Sequence, residues 1–162
     1  MISAVGIFNI VSVSQLLWCA KHDIISDTVV FNNIEELLLC ASQTMPEFKR
    51  EWTLLHNCAT ISHVYPVAKS WVPFQARSST AFVIKFMDKH GIFTNEKNYK
   101  SLPPIVKALV LIHECTHLSL HTVDYAYLDQ PIFAELTQKQ HLNNADSFVK
   151  KIMDKCTNTI II

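Results

Sequence analysis

His113-Glu114-Cys115-Thr116-His117 sets two imidazoles four residues apart, with a carboxylate beside the first. On an α-helix that spacing stacks both rings on one face, where both reach a single metal ion, and leaves the glutamate next to any water the ion binds. Two histidines are one protein ligand short of the three that a catalytic zinc usually takes beside an open water position. A site of this composition does metal-assisted hydrolysis: the ion acidifies a water and Glu114 takes its proton.

The nearest further donors are His121 and Asp124. His121 continues the spacing, but three ligands one turn apart span about 12 Å at ~1.5 Å per residue, too far for one ion on an unbroken helix. A chain that leaves the helix after His117 or Leu118 could bend back and offer Asp124 as an oxygen ligand. A purely structural zinc site would close its fourth position with Cys or His, yet Cys115, two residues after His113, points off the ligand face.

Three segments in order, His113 to His117, Thr122-Val123-Asp124-Tyr125-Ala126-Tyr127, and Asn144-Ala145-Asp146-Ser147-Phe148, resemble the deuterolysin-type aspzincin metalloendopeptidases. The pattern of that family is HExxH, then GTxDxxYG, then an NAD segment, and it includes lysine-specific members. The resemblance is confined to the C-terminal third of the chain. It implies Zn2+ held by His113, His117 and Asp124, Glu114 as general base, and Tyr127 as a hydroxyl that hydrogen-bonds the oxyanion. It also implies that Asp146 lines the pocket for a basic side chain after the scissile bond; capping of the last helix is the other reading of Asp146.

Three positions depart from the pattern. His121 and Leu128 replace glycines, and Val149 stands where lysine-specific members bring a second carboxylate, so lysine specificity does not carry over. Glycine usually marks positive φ or a close backbone approach, so its loss implies a different path for the loop. His121 would then border the cleft as a supporting or substrate-contacting group. The activity implied is endopeptidase cleavage of a protein or peptide, with a cell-wall cross-link as a narrower substrate. The alternative is a catalytically degenerate zincin acting as a binding protein, against which the intact Glu114 argues.

The elements that must position these residues follow from composition and periodicity. A chain of 162 residues with two glycines fits one helix-rich domain spanning 1–162, and no phosphate-cradling GxGxxG or Walker pattern occurs. Fourteen basic residues balance 14 acidic ones, so no global field draws in nucleic acid or an anionic membrane. The five scattered cysteines form no CxxC and read as buried thiols. Met1 to Ala20 reads as a folded first helix, lacking the basic start of a signal peptide and too interrupted to span a membrane. With no N-x-S/T acceptor either, the expectation is a bacterial protein exported by another route, as an effector delivered to a rival or host cell.

Helices are expected over 34–42 behind an Asn32-Asn33 cap, over 47–62, from Pro103-Pro104 through the two histidines, over 132–139 and over 146–155. Residues 65–79 read as a connection, 80–86 as a strand and 92–94 as its hairpin partner. The expected class is α+β, mainly helical and zincin-like. The edge of the small sheet from residues 80 to 95 would align an extended peptide.

Overall fold

A computed structural model describes residues 3–6, 22–68, 79–84 and 90–157. The strands are β1 (Ser3–Gly6), β2 (His22–Asp23), β3 (His63–Val67), β4 (Ala81–Ile84) and β5 (Gly91–Asn95). The helices are α1 (Thr28–Thr44), α2 (Lys49–Ile61), α3 (Glu96–Tyr99), α4 (Pro104–Leu120), α5 (Gln138–His141) and α6 (Ala145–Cys156). The architecture is α+β: one mixed sheet in the order β1-β4-β5-β3-β2 against a helical layer.

α1 is longer than the apolar spacing alone suggests. Asp27, not Asn32 or Asn33, caps it by accepting the Val30 N–H at 3.3 Å, which satisfies one of the orphan donors of the first turn. Val30, Ile34, Leu37, Leu38 and Ala41 then bury one face. Pro46 opens a 3-10 turn that leads into α2, and Trp52 locks that corner by donating Nε1–H to the Met45 carbonyl at 3.1 Å.

The connection expected over 65–79 begins as β3 instead. Pro66 is tolerated in that strand because, among the described residues, β2 pairs only with His63 and Val64 and no ladder partner stands beside Pro66 on that side. β4 and β5 form the expected antiparallel hairpin pair, with Phe82 opposite Phe93. Alternation sends Ala81, Val83 and Ile92 into the helical core, while Tyr65, Phe93 and Phe82 stack across three strands at centroid distances of 4.9 and 5.5 Å. Neither hairpin strand is an edge, because β1 pairs in parallel with β4 and β3 pairs in parallel with β5. The expectation that this hairpin aligns a peptide by its edge is therefore corrected: the edges are β1 and β2.

The N-terminal stretch, expected as a helix, supplies β1; residues 7–21, with Cys19, lie outside the described residues. The thiol reading is corrected in part. Cys40 of α1 and Cys156 of α6 form a disulfide across 116 residues of sequence, whereas Cys58 and Cys115 are free and buried.

α4 is the hub. Pro104 stands in its first turn, where a missing N–H costs nothing, and every residue from Ala108 to His117 is buried. A helix enclosed on all sides at that stretch is held by β4, α1, α2 and α6 together. No described helix is long and apolar enough to cross a membrane.

Candidate metal centre

α4 does not end at His117 or Leu118, where the bend to Asp124 is expected. It runs to Leu120, and His121 follows with φ 55° and ψ 34°, the left-handed conformation that turns the chain back. A histidine thus stands at a positive φ that glycine adopts freely. A non-glycine residue carries the positive φ at a steric cost of about 1–2 kcal/mol. His121 is exposed and stands outside the cluster, so its place is the hinge of the loop, and the structure gives it no ligand role.

The reversal brings Asp124 back onto the histidines. His113 Nε2 lies 3.3 Å from Asp124 Oδ1, and His117 Nε2 lies 3.3 Å from Asp124 Oδ2. One ligand atom from each of the three residues falls within 4.8 Å of the others, a spacing that one metal ion spans. The two rings stand edge to face, with centroids 5.0 Å apart.

The outer nitrogens settle the tautomers. His113 Nδ1 donates to Asp146 Oδ1 at 2.6 Å, and His117 Nδ1 donates to the Thr122 carbonyl at 2.9 Å. An imidazole that gives its proton at Nδ1 to an acceptor carries its lone pair at Nε2 when neutral, and both Nε2 atoms face Asp124. Thr116 adds a brace: its hydroxyl donates to the His113 carbonyl at 2.7 Å and lies 2.8 Å from the Thr122 hydroxyl.

Charge follows geometry. Burial would lower the pKa of His113, but its bonds to Asp124 and Asp146 and the nearby Glu114 charge overcome that and push it up to about 10. His117 is raised as well, against the same burial, through Asp124 and Glu114. Burial would raise the Asp124 carboxyl, yet the two histidines hold it well below the ordinary carboxylate range. Negative charge at this spot calls for a cation, and protons on the histidines supply it in the metal-free chain.

Glu114 is fully buried, with Oε1 4.0 Å from His113 Nε2. Tyr127 is half-buried, its ring stacked on His113 at 6.4 Å and 23°. The cluster thus gathers His113, His117, Asp124, Glu114 and Tyr127. Asp146 is a correction: it is 1% exposed, with both oxygens engaged by His113 and the Leu128 N–H, and so does not line an open pocket. Nor does it cap α6, whose cap position is Asn144.

Sequence reasoning passed over Asn144 itself. Its side chain, 0% exposed, accepts the Tyr125 and Ala126 N–H groups at 2.8 and 3.2 Å, and donates to the Ala126 carbonyl and the Ser147 hydroxyl at 3.0 and 3.1 Å. Val123 N–H donates to the Asn143 carbonyl, and Ala145 N–H to the Val123 carbonyl, each at 3.0 Å. The start of α6 is therefore the clamp of the loop that carries Asp124. No protein-family model, curated protein or solved structure matches the chain.

Proposed function

We propose that the chain is a zinc-dependent endopeptidase with His113, His117 and Asp124 as ligands and Glu114 as general base. The observation that carries the reading is the convergence of two Nε2 lone pairs and one carboxylate on a single point, with Glu114 alongside. The 3.3 Å separations, which run to different oxygens of Asp124, are compatible with a small ion such as zinc. Bonds of about 2.0–2.1 Å to N and O place tetrahedral ligands roughly 3.3 Å apart. Three protein ligands also leave the fourth position that a catalytic zinc keeps open. Two neutral imidazoles and a carboxylate suit this ion better than calcium or magnesium, which favour all-oxygen shells.

When bound, zinc would lower the pKa of a coordinated water to about 7 and polarise a substrate carbonyl. The chain's own groups do the rest. Glu114, one residue past a ligand and in a dry setting, accepts the proton of the attacking water and returns it to the leaving amine. Tyr127, over the His113 ring, donates its hydroxyl to the developing oxyanion. The similarity of the three motifs to the deuterolysin-type aspzincins supports the same reading, including a zincin-like fold and a protein or peptide substrate. Delivery of the protein as an effector belongs to the proposal as well.

The test is digestion of an unfolded protein by the zinc-loaded chain beside Glu114→Gln. Cleavage by the wild type and loss of at least a hundredfold in the variant, at unchanged zinc content, is the outcome expected from losing a general base. Equal cleavage by both would refute the role of Glu114. Zinc without cleavage by either would favour the degenerate binding protein.

A further inference from the structure

We propose that Asp146 is the positioning residue of the metal centre: one carboxylate holds the His113 imidazole and the Tyr127–Leu128 backbone in a common register. The proposal rests on the metal reading above for its consequence, though not for its geometry. Oδ1 accepts from His113 Nδ1 at 2.6 Å, and Oδ2 accepts the Leu128 N–H at 2.9 Å. The carboxylate sits in the first turn of α6, where the helix dipole favours a negative charge. α6 supplies none of the three ligands, and it is fixed independently by Phe148, Val149 and Ile152 in the core and by the Cys40–Cys156 bridge at its far end. The reference point is thus rigid before any ion arrives.

Two effects follow. The bond to Nδ1 fixes the ring's rotation and tautomer, so that the Nε2 lone pair already points to the side where Asp124 stands, and it makes that nitrogen a better donor to a metal. The bond to Leu128 sets the backbone next to Tyr127, whose ring stacks on the same imidazole. Ligand and oxyanion donor are therefore spaced by a single group. A side chain 1% exposed and engaged at both oxygens does not meet a substrate ammonium. Val149, also fully buried, offers no carboxylate in its place.

The experiment uses the full chain, freed of metal and then titrated with Zn2+, as wild type and Asp146→Asn. The carboxamide keeps the size but has a single acceptor for two donors. The expected result is zinc binding weaker by roughly 10–100-fold, with NMR of the metal-free variant losing the hydrogen-bonded, slowly exchanging His113 Nδ1 proton and its Leu128 amide exchanging faster. A residue that merely supports the fold would lower the melting temperature and leave the Nδ1 proton's protection and zinc affinity alone. Affinity within about threefold of wild type, with exchange of the His113 Nδ1 proton and the Leu128 amide unchanged, overturns the proposal.

Should the variant fail to fold, the wild type decides. Its metal-free form must show a protected, slowly exchanging His113 Nδ1 proton, and a rapidly exchanging one contradicts the bond. If the wild type takes up no zinc, the peptidase reading falls, while the His113 Nδ1 proton and the Leu128 amide of the metal-free chain still decide what Asp146 does.

Discussion

Asn144→Ala removes the clamp on the ligand loop without touching a ligand, so its effect can be worked from hydrogen bonds alone. Four bonds are lost, and their partners differ in access to water. Tyr125 is 46% exposed, so its N–H can be rehydrated at little cost. Ala126 is 1% exposed, and both its N–H and its carbonyl lose their partner where water does not reach. At about 1–3 kcal/mol for each buried group left unmade, the substitution costs roughly 2–6 kcal/mol. For a chain of this size that corresponds to a melting temperature lower by about 10 °C, read from calorimetry of the metal-free protein. Asn144→Asp keeps the two acceptor bonds and should lose about half as much. The strain falls on residues 123–126, so zinc affinity should drop along with stability while Glu114 and both histidines remain in place. A shift below about 2 °C with unchanged zinc binding would refute the claim that α6 clamps the loop.

Replacing Cys40 and Cys156 with serine opens a loop closed across 116 residues, which the chain-entropy estimate puts at about 4–5 kcal/mol; a loss below 1 kcal/mol in denaturant titration would contradict the bridge. In the metal-free chain, His113 raised from 6.5 to about 10 stabilises the fold fully below pH 6.5, and that contribution fades as pH rises toward 10. Asp124, lowered from 3.8, adds stability above that value that is lost as pH falls below it. Melting temperature should therefore decline from pH 6.5 to 10 without metal, whereas zinc affinity should climb over the same range because the ion displaces protons; a flat metal-free profile would sink this account. Tyr127→Phe should cut kcat by roughly a hundredfold with little change in KM, the mark of a donor used in the transition state, and an equal loss in KM alone would assign the hydroxyl to binding.

What the sequence made legible was governed by spacing. The two histidines four apart fixed a shared helix face, and the arithmetic of helical rise set His121 apart from them; the cluster that could hold an ion is His113, His117 and Asp124. Apolar periodicity located the long helices to within a few residues, missing the start of α1 because its cap, Asp27, lies ahead of the regular spacing. Contacts between distant segments were not legible. The Asp146 to His113 bond spans 33 residues, the Asn144 bonds to the loop span 18 and 19, and the disulfide spans 116. The third segment of the motif was visible, but Asp146 within it could be assigned a substrate pocket or a cap only because nothing in the local pattern says where α6 points. His121 takes the left-handed conformation, less common for a residue other than glycine, where the chain turns back toward Asp124.

The central claim is that three side chains from one helix and its returning loop hold a catalytic zinc. Zinc content of the purified full chain, measured by mass spectrometry for wild type, Asp124→Ala and Glu114→Gln, tests it most directly. About one zinc per chain in wild type and Glu114→Gln, with a strong reduction in Asp124→Ala, is the pattern that a three-ligand site with an uncoordinated base predicts. A wild type without zinc, or a full complement retained by Asp124→Ala, would contradict it.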